Sequence, residues 1–258
     1  MKALQYIKNQ FFPEYLQFQK DISSKFDGLK EAEISTENFS FYTSVSSVFS
    51  SKIEGEEIDL DSFVKHKNFG IEFQPDYTKK IDDLYEAYQF AKENRLNKEN
   101  LLSVHKILTK NILAEHLQGK FRTNNMYVLT DDGQIEYVAT SPFEVENEVG
   151  KFLSELEILI KENLEIEEIF FYASLIHLVF VKIHPMNDGN GRLGRLLEKW
   201  FISEKLGEKA WFLQSEKMYY QNHQNYYQNI RKLGLEYENL DYFKALDFLL
   251  ILPKSLEL

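Results

Sequence analysis

Apolar residues along the chain recur mainly at three- and four-residue steps, the spacing that places side chains on one face of an α-helix. This pattern predicts helices over residues 36–54, 77–94, 97–113, 142–163, 165–183, 191–207, 222–234 and 242–252. Only residues 126–142 differ, with two β-favouring runs on either side of Asp132 and Gly133. An Asp-Gly pair is typical of a two-residue hairpin turn. The sequence therefore predicts a mainly α fold with one β-hairpin.

The helical pattern is interrupted at Gly70 and Pro75, which mark a predicted boundary between residues 1–75 and residues 76–258. The first region holds a helix at about 36–55, beginning near Thr36. Its apolar positions are Phe39, Tyr42, Val45, Val48, Phe49 and Ile53. Gly55 stands where a helix-ending glycine is expected. We therefore expect an N-terminal helical region followed by a larger helical core.

Composition narrows the class of protein. The net charge is −11, from 41 acidic and 30 basic residues, and such a field disfavours a broad nucleic-acid-binding surface. The absence of cysteine excludes disulfides, thiol catalysis and thiolate metal sites. The N-terminus has no signal-peptide core, and no apolar run approaches the roughly 20 residues that cross a bilayer. We expect a cytoplasmic protein that binds neither nucleic acid nor membrane.

The clearest candidate chemistry lies in HPMNDGNGRLGR, residues 184–195, between two predicted helices. Glycines on both sides of Asn190 allow successive N–H groups to converge on one point, and the start of the next helix adds its own free N–H groups. Arg192 and Arg195 lie near that helix start and can bind phosphate oxygens. These features predict a cradle for a di- or triphosphate.

Two more side chains of this loop suit nucleotide chemistry. Asp188 can hold Mg²⁺, which prefers carboxylate, water and phosphate oxygens. His184 ends the preceding apolar run, and a neutral imidazole there can take a proton from an attacking hydroxyl. Gly-Asn-Gly is also a common turn, and an arginine pair is often a solvated helix face. The residues alone therefore leave a structural loop as the alternative.

The loop closely resembles the Fic family motif His-Pro-Phe-x-Asp-Gly-Asn-Gly-Arg-x-x-Arg, and differs only at Met186, where the family usually has phenylalanine. The resemblance extends over about residues 77–233, including LLSVHKIL, GKFR and the hairpin. It implies a compact Fic-type helical core with a β-hairpin flap beside the active site. It also implies transfer of AMP from ATP to a serine, threonine or tyrosine hydroxyl of a protein, with release of pyrophosphate.

The resemblance implies a role for each motif residue. His184 would be the general base and Asp188 the ligand of Mg²⁺, with ATP as co-substrate. The nucleotide would be bound by Gly189, Asn190, Gly191, Arg192, Leu193, Gly194 and Arg195. Doc-type phosphotransferases of the same superfamily carry a lysine in this loop. This chain keeps Gly189 and Gly191 and has no lysine in the loop, so AMP transfer is favoured over phosphate transfer.

Other residues receive roles by the same resemblance. The flap would align a target segment by strand-like pairing, through Met126, Tyr127, Val128, Tyr137 and Val138, with an ordinary structural hairpin as the alternative. Tyr226 and Tyr227 resemble paired tyrosines that flank adenine in some members, although residues 218–220 offer a competing register. His105 and His177 are interpreted as structural.

The segment SSKIEG, residues 50–55, matches the Fic inhibitory pattern Ser/Thr-x-x-x-Glu-Gly through Ser50, Glu54 and Gly55. Its place before the core resembles the class with an N-terminal inhibitory helix. In that class Glu54 would pair with Arg195 and occupy the arginine needed for the γ-phosphate. Without the core motif, the same pattern is typical of many helix ends.

The sequence thus predicts an autoinhibited protein adenylyltransferase that also modifies itself. Two alternatives use the same site: removal of AMP from a modified protein, with Glu54 positioning water, and another nucleotidyl transfer. A toxin restrained by a partner, or an inactive binding module, is the alternative from a different class. The partners implied are ATP and a protein substrate, and the sequence is also compatible with a homo-oligomer.

Overall fold

The structure is a computed structural model that describes residues 4–18, 21–36, 39–129 and 133–258. Within these ranges it has twelve α-helices and one two-stranded sheet. The helices are α1 Leu4–Gln17, α2 Ile22–Asp27, α3 Phe41–Ile53, α4 Leu60–Phe69, α5 Pro75–Glu93, α6 Lys98–Leu108, α7 Val145–Lys161, α8 Ile166–Ile183, α9 Asn190–Leu206, α10 Ser215–Gln221, α11 His223–Arg231 and α12 Leu246–Leu249. The strands are β1 Tyr127–Leu129 and β2 Ile135–Val138. The predicted mainly α fold with a hairpin is confirmed.

Helices α8 and α9 form the centre of the molecule and pack against each other over their length. Every side chain of α8 from Ile169 to Ile183 is buried, which explains its nearly continuous apolar run. Helices α1, α7 and α12 cover α8, while α5 and α6 cover α9. The motif loop at 184–189 therefore joins two rigid, buried helices, and its position is fixed at both ends.

The close approach of α8 and α9 depends on Gly194. A Cβ built there would lie 2.9 Å from Val181 Cγ1 and 3.0 Å from His177 Cδ2. Overpacking of this kind typically costs about 1–3 kcal/mol. We expect Gly194→Ala to lower the free energy of unfolding by that amount, as measured by urea denaturation.

A matched control lies in α7, where a Cβ on the exposed Gly150 would meet no atom within 4 Å. Since glycine in a helix costs roughly 0.5–1 kcal/mol relative to alanine, Gly150→Ala should stabilise the protein. Equal effects of the two substitutions would contradict a packing role for Gly194.

Helix α3 begins at Phe41, five residues later than the predicted start near Thr36. Ser40 is the reason, because its Oγ accepts the Thr43 N–H at 3.3 Å and caps the helix. The helix ends at Ile53, and Gly55 has a φ of 88°, the conformation expected of a helix-ending glycine.

Helix α3 packs between α5 and α10 and also touches α9. One anchor is the buried Lys199 of α9, whose Nζ donates to Ser46 Oγ at 2.6 Å and to Glu216 at 2.7 Å. A small apolar cluster of Val48, Ile58, Phe63, Ile81 and Tyr85 also contains residues from both sides of position 75. The end of α3 is consequently held against the start of α9.

The hairpin pairs Tyr127 with Val138 and Val128 with Tyr137, with an irregularity after Val128. It is tied to the chain beyond α11, since the Val138 N–H donates to the Leu235 carbonyl at 2.8 Å. At the predicted turn Gly133 has a φ of 79°, while Asp132 lies outside the described residues. The hairpin therefore stands beside α11 and the end of α8.

Two predicted helices are shorter than expected. Helix α6 begins as predicted, with Asn97 accepting the Asn100 N–H at 2.8 Å, but it ends at Leu108 and does not reach residue 113. The predicted helix at 242–252 is one turn, α12, between two 3₁₀ segments. No helix in the described part of the chain is long and apolar enough to span a membrane.

Candidate active site

The motif loop has a defined backbone. Helix α8 ends at His184, whose φ of 52° lies in the left-handed region, and Pro185 prevents its continuation. The Asn190 amide then closes the loop, because its Oδ1 accepts the Met186 N–H at 2.9 Å and its Nδ2 donates to the Met186 carbonyl at 3.0 Å. Gly189, with a φ of 76°, starts α9 one residue earlier than predicted. Asn190 thus shapes the loop from within.

The side chain of His184 is held as a neutral base. Its Nδ1 lies 3.2 Å from the Val181 carbonyl, which can only accept a hydrogen bond. Nδ1 therefore carries the proton, and Nε2 keeps its lone pair. Burial lowers the pKa of His184 to about 4, so the ring is neutral at pH 7. His184 also lines the cavity described below.

Arg122 fixes the backbone of His184 and joins it to the flap. This buried guanidinium donates to three carbonyls: His184 at 2.7 Å, Asn124 at 2.8 Å and Thr140 at 2.6 Å. Arg122 belongs to the segment GKFR, which carries part of the family resemblance, but no role was assigned to it from the sequence. The structure makes it the link between the loop and the base of the flap.

Asp188 lies at the exposed edge of the loop. Its Oδ1 accepts the Gly189 N–H at 2.6 Å, and its backbone carbonyl lies 3.0 Å from His105 Nε2. His105 Nδ1 accepts the Gly119 N–H at 2.9 Å, so the Nε2 proton is available to the Asp188 carbonyl. His105, interpreted as structural from the sequence, therefore orients the backbone of the predicted metal ligand.

The surroundings of Asp188 fit Mg²⁺. The carboxylate is exposed, and no cluster of three or more potential ligand side chains occurs in the described ranges. Mg²⁺ commonly uses one or two carboxylates, with substrate phosphates and water completing its octahedron. A single carboxylate beside a phosphate cradle is the matching donor set.

Arg195 is fully buried and bonded to the end of α3. Its Nη2 donates to Glu54 Oε1 at 2.6 Å and to the Ser50 carbonyl at 3.1 Å, and its Nε donates to Ser50 Oγ at 2.8 Å. Burial would raise the pKa of Glu54, but Arg195 and Arg192 hold it below its usual value. The pair is therefore charged, with the Arg195 side chain 1% and the Glu54 side chain 28% exposed.

Behind Arg195 lies a second, fully buried chain of hydrogen bonds. Arg195 Nη1 is 3.4 Å from Tyr226 Oη, which is 3.0 Å from His177 Nε2. His177 Nδ1 is 2.9 Å from a Glu198 oxygen that also accepts the Tyr219 hydroxyl at 2.5 Å. One proton assignment is consistent with these contacts: His177 donates to Glu198 and accepts from Tyr226, which accepts from Arg195.

Glu56 was missed from the sequence, yet it engages the other motif arginine. Its Oε1 lies 2.7 Å from Arg192 Nη2 and 3.4 Å from Lys80 Nζ, and both Glu56 and Arg192 are buried. The segment after α3 therefore supplies a carboxylate to each arginine of the predicted phosphate cradle. An acid at this position carries no recognisable pattern, so only the folded contact identifies it.

Of these groups, Glu54, His184 and Arg195 line a cavity of about 170 Å³, below the roughly 300–1,000 Å³ of typical small-molecule pockets. Among the described residues it is lined by Glu54, Val128, Glu136, Tyr137, Val181, Lys182, His184, Gly191, Arg195, Tyr226, Tyr227, Ile230 and Arg231. A Cβ on Gly191 would lie 2.6 Å from Glu54 Oε1, so the carboxylate rests directly against the glycine-rich loop. The cavity is narrowed where phosphates are predicted to bind.

Not every predicted nucleotide-binding residue faces this cavity. Leu193 is buried in the apolar core, and its N–H donates to the Gly189 carbonyl at 2.9 Å. Gly194 allows α8 and α9 to pack closely. Tyr226 and Tyr227 do line the cavity, whereas Tyr219 bonds to Glu198. The structure thus places the predicted register, not the competing one, at the cavity.

The predicted flap residues lie on two sides of the hairpin. Val128 and Tyr137 face the cavity, and the Tyr137 hydroxyl donates to the Lys182 carbonyl at 2.5 Å. Tyr127 is 47% exposed. Met126 accepts the Ala139 N–H at 3.1 Å, and Val138 binds Leu235 through the backbone. The hairpin therefore forms one wall of the cavity and also presents an outer surface.

Solved structures of Fic proteins are similar to this chain over nearly its full length. A Fic family protein from Desulfovibrio desulfuricans G20 has a TM-score of 0.71 at 17% identity, covering 100% of this chain and 74% of that one. Fic-1 from C. elegans has a TM-score of 0.67 at 15% identity, covering 98% of this chain and 71% of that one. A Fic-domain-containing signaling protein from Bacteroides thetaiotaomicron VPI-5482 has a TM-score of 0.65 at 14% identity, covering 97% of both chains. Curated protein sequences give no significant match.

The family model described as Fic/DOC matches residues 95–202, from the start of α6 to the buried part of α9. This range contains His184, Asp188 and both arginines of the loop. Residues 95–202 therefore match the Fic/DOC family model, and the solved structures show that the chain has the fold of Fic proteins. Members of that family commonly transfer AMP or other nucleotide groups to proteins.

Proposed function

We propose that this protein is an adenylyltransferase that transfers AMP from ATP to a protein hydroxyl, and that the end of α3 holds it inactive at rest. The observation that carries the proposal is the bond of Arg195 to Glu54 and Ser50, beside a neutral His184 and a glycine-rich helix start. The proposed catalytic base His184, the proposed phosphate-binding residues Gly191 and Arg195, and the inhibitory carboxylate of Glu54 line one cavity. We place the reaction in the cytoplasm, with the protein itself among its targets.

The transfer step needs a base close to the α-phosphate. The target hydroxyl gives its proton to His184 Nε2 while its oxygen attacks the α-phosphorus. The new O–P bond forms as the bond from the α-phosphorus to the pyrophosphate oxygen breaks, and pyrophosphate leaves with that electron pair. The N–H groups at the start of α9 and freed arginines stabilise the phosphate charge. Mg²⁺ on Asp188 would supply further charge neutralisation when bound.

The resting contacts explain why this site would turn over slowly. Arg195 cannot give its charge to a γ-phosphate while Glu54 and Ser50 satisfy it, and Arg192 is similarly paired with Glu56. Glu54 also rests against Gly191, inside a cavity that is smaller than typical small-molecule pockets. Withdrawal of the end of α3 would free Arg195 for the γ-phosphate and, at the same time, remove the Glu54 carboxylate from the cavity.

Isotope position in ATP tests the reaction type. With Glu54→Gly protein and Mg²⁺, label in the α-phosphate should remain on protein after denaturation, and label in the γ-phosphate should leave as pyrophosphate. Phosphate transfer would give the reverse pattern and would contradict the proposal. If a pre-modified protein loses AMP faster than unmodified protein gains it, the alternative of AMP removal replaces transfer as the main activity.

A further inference from the structure

Lys182, near the end of α8, is a buried ammonium on the cavity wall with too few partners. The residue is 2% exposed, and in the described parts of the chain its Nζ has one hydrogen-bond acceptor, the Gly234 carbonyl at 3.5 Å. The ring of Tyr137 lies 4.0 Å from Nζ. No carboxylate of the described residues lies within 4 Å of Nζ, and Glu136, on the same wall, is paired with Arg231. At least one of three N–H donors is therefore left for a ligand.

An unpaired buried cation is costly, and proteins generally pair such groups. Desolvation lowers the pKa of Lys182 to about 8, so the side chain still carries its charge at pH 7. A methionine of similar length would fill the same space without this cost. Retaining an ammonium at this position points to a hydrogen-bond acceptor that is supplied only when the cavity is filled.

The position of Lys182 indicates which part of a nucleotide it meets. Gly191 and Arg195 line the cavity where the phosphates are expected. Lys182 reaches instead toward Tyr137 of the flap and Gly234 beyond α11. Tyr227 and Ile230 also line the cavity and offer an apolar surface suited to the face of a base.

We propose that Lys182 is a specificity-determining residue that donates a hydrogen bond to a ring nitrogen of the nucleotide base. The proposal rests on the nucleotide-transfer function proposed above. An ammonium can only donate, so it selects an acceptor on the base edge, and adenine presents N1, N3 and N7 as acceptors. Lys182 therefore acts on nucleotide affinity, and the attack on the α-phosphorus is left to His184.

A binding measurement with base analogues tests this pairing. Dissociation constants for ATP and for its 1-deaza, 3-deaza and 7-deaza analogues are measured by calorimetry with Mg²⁺. The protein is Glu54→Gly/His184→Ala, which opens the site and stops turnover, with and without Lys182→Met. We expect Lys182→Met to weaken ATP binding about 10-fold, and one analogue to bind the Lys182 protein about 10-fold more weakly than ATP. That analogue should lose nothing further in the Lys182→Met protein.

Stability separates this role from a structural one. Removing a buried charge that has no carboxylate partner among the described residues should raise the Tm of Lys182→Met by roughly 2–4 °C, whereas loss of a structural residue would lower it. Lys205→Met, which removes a lysine that donates to the carbonyls of Leu159 and Ile160, serves as the control and should leave ATP binding unchanged.

Three results would overturn the proposal. The first is unchanged ATP affinity in Lys182→Met, and the second is equal binding of ATP and all three analogues by the Lys182 protein. The third is an analogue that binds more weakly than ATP to the Lys182→Met protein as well. If no nucleoside triphosphate binds the open protein at all, the proposed function itself fails. That outcome is distinct, because it appears before Lys182 is changed.

Discussion

Replacing Glu54 with glycine should raise the rate of AMP incorporation about 10- to 100-fold. A hydrogen bond between charged groups contributes about 1.5–3 kcal/mol, and here it joins Arg195 to Glu54. The substitution removes this bond, which must otherwise break before Arg195 can bind the γ-phosphate. It also removes the carboxylate that rests against Gly191. The measurement is the initial rate of α-labelled ATP incorporation under identical Mg²⁺ and ATP concentrations.

Nearby residues provide controls for this activation. Glu57 is exposed on the same segment, so Glu57→Gly tests whether general loosening is enough, and it should leave the rate unchanged. Glu54→Gln keeps the shape of the side chain but loses the ion pair, and it should give an intermediate rate. Equal activation by Glu57→Gly and Glu54→Gly would contradict a specific inhibitory role of Glu54.

Replacing His184 with alanine in the Glu54→Gly protein should lower the transfer rate about 10²- to 10⁴-fold, the usual contribution of general acid–base catalysis. ATP affinity should change little, because His184 is assigned to the target hydroxyl. Transfer rates and calorimetric dissociation constants measured on the same samples separate the two effects. A loss of affinity equal to the loss of rate would contradict the assignment of His184 as the base.

The pH dependence of the active variant follows from the same residue. A base works when it is unprotonated, and the pKa of His184 is about 4, below the ordinary histidine value because of burial. Glu54 raises this pKa, so its removal lowers the value further. The kcat/KM of the Glu54→Gly protein should therefore stay level from pH 8 down to about 5. A half-loss near pH 6.5 would indicate an exposed, ordinary histidine.

The sequence predicts the long helices of the core and the loop because their information is local, whereas α1, α2, α4 and α10 are absent from the predicted helices. Three- and four-residue apolar steps identify α5, α7, α8 and α9, and the glycines of residues 184–195 require a bend between two of them. Errors arise where polar capping outweighs the apolar pattern. Ser40 starts α3 later than Phe39 suggests, since its hydroxyl satisfies a free N–H of the first turn.

The contacts between distant segments follow less directly from sequence. The bond between Glu54 and Arg195 joins residues 141 positions apart, and its expectation came from family resemblance and not from spacing. Glu56, Arg122 and Lys182 were assigned no role, although Arg122 belongs to the quoted segment GKFR, because a single acid, arginine or lysine does not show from sequence that folding will bury it. Burial of a charged side chain, visible only in the fold, is the property that distinguishes all three.

The most direct test of the central claim is intact-mass analysis of three proteins incubated with Mg²⁺ and each nucleoside triphosphate in turn. Glu54→Gly should gain the mass of AMP from ATP. Unchanged protein should gain it far more slowly, and Glu54→Gly/His184→Ala should not gain it. Equal gain by the unchanged protein and Glu54→Gly, or gain that persists without His184, would contradict an active site that is complete and held shut by Glu54.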